Sequence, residues 1–543
     1  MKKPLVSELT LRQKIGQTGM PSPPDAYFKA KDMGGFVQYF SEYPFAGLYL
    51  NYEIKKHSVK PVASASDLAG IVQEASDACE IPLLVSCDAE LGGKEFFDGL
   101  HRIPSNMSLG AARSKELTYL RSYYYARELR SFGINWQFGP VCDLLSNFFC
   151  CSGIRCMSDR PEAMMELLPE IIRGFRDAGV MPCAKHYPGT KGEYRDSHFC
   201  TAANRQTKEQ WDNSYRKIWQ TAVDANVESI MVSHAAFPAV DPSITQNGAP
   251  TPSTASKKVL DILREEMGYQ GVILTDAISM KGLAAALSHE DIYIECFNAG
   301  NDLILFCKND YIDVMEKAVF DGRVSVERLD QSVQRILDMK EKLGLFDEKR
   351  DPMPLSAEEI RKFDQVIYDI GKAAITLINN KERMIPFASD TVKRVTVINL
   401  APYRPFFDEL NVMVKAFEEK GITVTLLERL HSKEQLEELS KTEDIIIYAC
   451  YLAQSRPSGM SFYSRPEDML TLFHGLSYGA DKSVVVSFGA PSIYYNYFES
   501  ANAYLNAYSS DAGTMRAFVD GILGEFEFTG KSPVALYPSF AQE

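Results

Sequence analysis

The stretch "VMPCAKHYPG", residues 180–189, decides how the first two thirds of the chain read. A short apolar run ends on Lys185 and His186. It is then stopped by Pro188-Gly189, a pair that suits a turn and not a helix. The same pattern recurs in "FAGLYL" (45–50), "IPLLVSCD" (81–88), "INWQFGPVCD" (134–143), "SIMVSHA" (229–235), "GVILTDA" (271–277) and "DLILFC" (302–307), with a further candidate near "IGQTGM" (15–20). Helical patterns such as "SKELTYLRSYYYARELRSFG" and "TPSTASKKVLDILREEMG" lie between them. The second opens at a Ser/Thr cap and closes on Gly268.

Continuous apolar strands, each followed by a helix, predict an α/β fold with a parallel sheet covered on both faces. A count near eight favours a (β/α)8 TIM-like barrel over an open sheet. Polar residues gather where the runs end, at Asp88, Asp143, His186, His234 and Asp276. In such barrels that end carries the chemistry. The helix "VERLDQSVQRILDMKEKLGLF" (326–346) closes the barrel, so the catalytic domain is expected at 1–346. A charged, proline-bearing linker follows at 347–364. A smaller α/β sandwich of three layers is expected at 365–543, with strands at "RVTVINL", "TVTLLE", "DIIIYACY", "SVVVSFGAP" and "AYLNAYS".

A length of 543 residues fits two or three domains. A net charge of −14 disfavours nucleic acid or an anionic membrane as the main partner. No apolar h-region follows the two N-terminal lysines, and no run approaches the length of a membrane span. The eleven cysteines sit mostly inside apolar runs (Cys87, Cys142, Cys183, Cys307, Cys450), as buried thiols of a cytoplasmic protein would. The cluster "CCSGIRC" (Cys150, Cys151, Cys156) lacks zinc-site spacing. "GGKEFFDG" lacks a nucleotide-binding pattern, so neither a metal nor a cofactor is expected.

Each candidate residue has a plain reading beside a chemical one. Asp276 could cap a turn or serve as a nucleophile at the barrel's active end. Asp196 and His198 of "D-S-H" could be a solvated pair, or a dyad in which the carboxylate fixes the imidazole tautomer. Lys185, His186, Asp88 and His234 could be satisfied strand-end groups or ligands of a polar substrate.

The long stretch "KHYPGTKGEYRDSH" resembles the K-H-F-P-G-H-G-x4-D-S-H signature of glycoside hydrolase family 3 β-N-acetylglucosaminidases. "GYQGVILTDAISM" resembles the nucleophile stretch of that family. "LTLRQKIGQ", "ELRSFGINWQFGPVCDL" and "LINNKERMIPF" match as well, so the resemblance covers both expected domains. It implies Asp276 as nucleophile, His198 as general acid/base and Asp196 as its orienting partner. It further implies Asp88, Arg155, Lys185 and His186 as substrate-binding groups, to which strand-end His234 is added. Three departures accompany it: Thr190 and Lys191 replace a histidine and a glycine, Lys94 replaces an arginine, and Phe97 stands where a second arginine is expected.

The chemistry is coherent on its own terms. A retaining glycosidase needs a nucleophile on one face of the sugar and a proton donor at the leaving oxygen. Imidazole can give and take that proton near neutral pH. The leading expectation is a retaining exo-β-glycosidase acting on β-N-acetylglucosaminides, with an amino-sugar oligosaccharide or muropeptide fragment as substrate. The alternatives are a phosphorylase of the same family, or a β-glucosidase or other β-glycosidase with altered sugar specificity. A neutral imidazole would not repel phosphate as a carboxylate does, and Lys191 adds a positive charge. A metal-dependent hydrolase using His186, His198, His234 and Asp276 lacks the paired H-x-H of barrel metal sites. The second domain is expected to supply no acid/base group.

Overall fold

The apolar runs of the first two thirds are strands, and they lie side by side in chain order. In a computed structural model that describes residues 2–51, 54, 62–97, 99–146, 152–191, 193, 195–347, 354–401, 404–452 and 466–537, these are β1 (Gly19–Pro21), β2 (Gly47–Leu50), β3 (Leu84–Cys87), β4 (Trp136–Gln137), β5 (Met181–Tyr187), β6 (Ser229–Val232), β7 (Val272–Thr275) and β8 (Ile304–Cys307). Strands β2 to β7 form one parallel sheet in that order, and β8 pairs in parallel with β1. Backbone bonds join the two pieces. Thr275 N–H donates to Leu303 at 3.1 Å on one side, and Ala46 N–H donates to Gly19 at 3.0 Å on the other. The ring is therefore the α/β TIM-like barrel that the sequence predicts.

These strands carry no polar face because both of their faces are covered. Met20, Leu84, Trp136, Phe138, Met181, Cys183, Met231, Leu274 and Leu305 fill one buried cluster. The helical pattern after residue 252 folds as read. Ser256 caps it by accepting from Val259 N–H, and Gly268 ends it at φ +71°. Buried Asp302 ties β7 to the helix Val326–Lys342. It accepts from Ile273 N–H at 3.0 Å, Ser332 Oγ at 2.8 Å and Arg335 Nη1 at 3.0 Å, and also from Arg264. Leaving a buried carboxylate's oxygens without such partners would be costly.

By their contacts the described residues divide into two units. One holds Met1–His101, Ser122–Asp143 and Leu168–Ala357, and the other holds Arg102–Arg121, Leu144–Leu167 and Glu358–Glu543. Two stretches that precede residue 346 thus fold with the C-terminal part. Ser105 Oγ donates to Tyr508 O at 2.9 Å, Ser158 Oγ to Pro533 O at 2.6 Å, and Arg102 pairs with Glu409 at 3.0 Å. Met107, Ile154, Tyr508 and Val534 share one apolar cluster there. Such long-range partners leave no local trace in sequence. The helix Ala357–Ala374 occupies the end of the expected linker, and residues 348–353 of that linker lie outside the described residues.

The second unit contains a six-stranded sheet in the order β11-β10-β12-β13-β14-β9, with buried apolar clusters on both of its faces. Its strands are β9 (Thr376–Asn380), β10 (Arg394–Leu400), β11 (Thr423–Leu427), β12 (Ile445–Cys450), β13 (Ser483–Ser487) and β14 (Ala503–Asn506). The ladders are parallel except for β9, which runs antiparallel to β14 at the sheet edge. The apolar runs do not reveal β9. An edge strand needs no continuous apolar run, and "TLINN" is only partly buried.

Among the described residues no helix is long and apolar enough to cross a membrane. The nine described cysteines are free thiols, seven of them buried; Cys150 and Cys151 lie outside the described residues.

Candidate active site

Titratable groups lie on or after five of the barrel's strands, β3 to β7, and the fold gives each a defined partner. Lys185, buried on β5, reaches Asp88 beyond β3 and Glu90 Oε1 at 2.6 Å. Glu90 was not singled out from the sequence, because it follows the strand instead of ending it. The next residue, His186, donates Nδ1–H to Asp143 Oδ2 at 2.6 Å. Asp143 ends an apolar run of the sequence, but its pairing with His186 depends on the segment after β4 lying along β5, where Val141 bridges Lys185 and Lys185 N–H donates to Pro140 O at 3.0 Å.

His234 follows β6 and is fully enclosed. Its Nε2–H donates to Ala277 O at 3.0 Å, and its Nδ1 accepts from Thr254 Oγ1 at 3.0 Å. Burial pushes this imidazole down against the pull of Asp276. Asp276 follows β7. Its Oδ1 accepts Ala277 N–H at 2.7 Å. Burial alone would push the carboxyl up. His186, His234, the Ala277 N–H and Lys185 together outweigh it and hold the group below its ordinary range. Asp276, His186 and His198 all act electrostatically on His234, which brings the four groups to one end of the barrel.

The loop after β5 carries Asp196 and His198. Asp196 is nearly enclosed, and its Oδ1 accepts both the His198 N–H at 2.9 Å and the Nδ1–H at 2.6 Å. A carboxylate only accepts, so Nδ1 carries the proton and Nε2 is the atom through which the ring would exchange one. The His198 side chain is 59% exposed against 8% for Asp196, as a group that meets ligand on one side and protein on the other would be.

Three sets of bonds fix this loop. At its root, Pro188 O accepts the indole N–H of Trp211 at 2.9 Å and of Trp219 at 3.1 Å. Gly189 sits at φ +99° with the Tyr215 ring against its α-carbon, which leaves no room for a Cβ. In the middle, Glu193 pairs with Arg195 at 2.8 Å and accepts Ala203 N–H at 3.1 Å. At the dyad itself, the carbonyls of Ser197 and His198 accept the N–H groups of Gly282 at 3.2 Å and Lys281 at 3.0 Å. None of these anchors was legible in the sequence, because most are backbone groups.

Arg155 lies in the short turn Gly153–Arg155 of the other unit. Of the departures, Phe97 is buried and Lys94 is exposed, with its backbone N–H bonded to His101 O at 3.0 Å.

Residues 10–339 match the glycosyl hydrolase family 3 N-terminal domain. The chain belongs to glycosyl hydrolase family 3. Within it, the chain is 26% identical over 492 residues to a β-N-acetylglucosaminidase/β-glucosidase of Cellulomonas fimi, which spans 87% of this chain and 86% of the relative. A β-hexosaminidase of Thiobacillus denitrificans is 30% identical over 253 residues, covering 45% of this chain and 68% of its own. The solved family 3 β-N-acetylglucosaminidase of Paenibacillus sp. superposes with a TM-score of 0.80 at 26% identity, over 97% of this chain and 99% of that one. A β-glucoside phosphorylase, BglX, shares the fold with a TM-score of 0.82 at 24% identity, over 98% and 94% of the two chains.

Proposed function

We propose that this chain is a retaining exo-β-glycosidase that releases N-acetylglucosamine from β-N-acetylglucosaminides. Asp276 attacks the anomeric carbon and forms the glycosyl-enzyme. His198 Nε2–H protonates the leaving oxygen, and the neutral imidazole then takes a proton from the incoming water. Asp196 keeps the proton on Nδ1 and stabilises the imidazolium. Asp88, Lys185, His186, His234 and Arg155 are assigned to the sugar or to the groups that hold it. The substrate class is an amino-sugar oligosaccharide or muropeptide fragment, and the free thiols among the described cysteines fit a cytoplasmic setting.

One observation carries this reading: an acidic carboxylate, Asp276, shares the surroundings of His234 with an imidazole already oriented by a buried carboxylate. The names of the Cellulomonas and Paenibacillus relatives support the choice of sugar. The test is turnover of nitrophenyl β-N-acetylglucosaminide against the β-glucoside, with trapping of the intermediate on Asp276 by a fluorinated glycoside. Labelling of a different residue would remove the mechanism, and a preference for the glucoside would remove the sugar.

Phosphorolysis is the second reading. The acid/base group is an imidazole, uncharged once its proton is given, so it leaves no anion to repel phosphate. Lys191 stands on the same loop with its carbonyl bonded to Arg205 N–H at 3.1 Å. Each glycoside assayed with and without inorganic phosphate separates the two. Sugar 1-phosphate as the main product selects phosphorolysis.

A further inference from the structure

The turn that carries His198 presents a second side chain. Phe199 is 62% exposed, and its ring centroid lies 6.4 Å from that of His198. Its exposure is not that of a loose loop. Phe199 N–H and Cys200 N–H both donate to Asp196 O, at 3.0 and 3.2 Å, closing the turn. The carbonyls on the opposite side of the turn are held by Lys281 and Gly282. The backbone is therefore tied on its inner side, and the phenyl ring is kept in solvent beside the imidazole.

We propose that Phe199 is the platform for the leaving group, and that it takes an aglycone with an apolar face, such as the C–H face of a second pyranose ring. This rests on His198 being the proton donor, as argued above. Its Nε2 must then lie at the glycosidic oxygen, where the aglycone begins. The sugar that is attacked belongs with the inner ionic set of Asp276, Lys185 and His186. What projects outward past His198 is the leaving group, and a ring 6.4 Å from the imidazole lies within reach of its first residue. Stacking a C–H-rich face on the phenyl ring removes apolar surface of both partners from water, and such aromatic contacts are of a size that changes kcat/KM about three- to tenfold.

The test compares two substrates with the same glycone, in buffer containing phosphate. One is diacetylchitobiose, whose leaving group is a pyranose. The other is trifluoroethyl β-N-acetylglucosaminide, whose leaving alcohol is about as acidic as a sugar hydroxyl but has no ring. Both need protonation by His198, so a disturbed dyad affects both. The ratio of their kcat/KM values, measured on one preparation, does not depend on the fraction of enzyme folded. For Phe199→Ala the disaccharide-to-trifluoroethyl ratio is expected to fall about three- to tenfold, and for Phe199→Trp it is expected to stay at or above the parent value. An unchanged ratio in Phe199→Ala overturns the platform while leaving the glycosidase reading intact. A parent enzyme that turns over neither substrate removes both.

Discussion

Lys281 donates its backbone N–H to the carbonyl of His198 at 3.0 Å, so the turn that follows Asp276 holds the backbone of the dyad. The placing of Asp276 relative to His198 rests on a few main-chain bonds. Asp276 N–H is fixed to Val232 O at 2.9 Å, Ile278 N–H to Leu305 O at 3.1 Å, and the next turn grips residues 197 and 198.

That linkage predicts a positioning role for Gly282. A Cβ there would stand 2.5 Å from Cys200 O and 2.8 Å from Ser197 O, so Gly282→Ala must push the turn away. A displacement of this kind is expected to lower kcat about ten- to a hundredfold on a poor leaving group, with less effect on nitrophenyl glycosides and a small change in KM. Lys281→Pro removes the other donor at the first position of a helix, where proline is tolerated, and should act in the same direction. Equal losses on both leaving groups would mean that the turn supports the fold and not the proton donor.

His198→Ala should cost far more on alkyl and sugar leaving groups than on activated aryl ones, because the latter need little protonation. Asp196→Asn should give a partial version of the same pattern by releasing the Nδ1 tautomer. A Brønsted plot of kcat/KM against leaving-group pKa reads this directly. A slope unchanged from the parent would assign the protonation to another group.

Asp276→Gly should lose several orders of magnitude in kcat, with azide restoring turnover as the α-glycosyl azide. The pH dependence follows from the neighbours of Asp276. Its carboxyl is held below its ordinary range chiefly by His186 and His234, against burial. Removing His186 weakens that hold, so the folded pKa rises. The acid limb of kcat/KM should therefore move to higher pH in His186→Ala, while the parent limb lies below the ordinary carboxylate value. An acid limb that stays in place would separate it from Asp276.

Lys340, on the helix Val326–Lys342, is fully buried with Gln17 Oε1 at 2.6 Å, and burial lowers its pKa to about 7. Its folded value lies below its unfolded one, so the unfolded chain binds more protons between them. Wild-type stability on account of this group rises with pH from about 7 towards the ordinary lysine range near 10.4. Lys340→Met should raise the apparent Tm most at pH 6, with the advantage shrinking by pH 9 to 10. Melting curves at those pH values decide it, and a Tm difference independent of pH would place the charge elsewhere.

The barrel was legible because a strand buried on both faces has to be apolar from end to end, which makes β5, β6 and β7 stand out, each with a polar residue at its edge. Edge strand β9 obeys no such rule. Asp276 and the Asp-Ser-His triplet could be found because spacing along the chain carries them. The partners of Lys185 and His186 could not, since Glu90 and Asp143 arrive from other strands. Nor could the grip of Lys281 and Gly282, which uses amides that every residue except proline owns.

Two of the chain's three tryptophans, Trp211 and Trp219, direct their indole N–H groups at the single carbonyl of Pro188. The third, Trp136, is buried in the barrel interior, bonded to Ser229 Oγ at 2.8 Å. The protein's intrinsic fluorescence is thus divided by place. One emitter is surrounded by packed core, and two are coupled to the peptide from which the dyad loop departs. A ligand that shifts residues 188–200 alters the field at both loop indoles together and leaves the Trp136 contribution as a constant background. Loop movement during a catalytic cycle is therefore open to stopped-flow emission measurements without any added label.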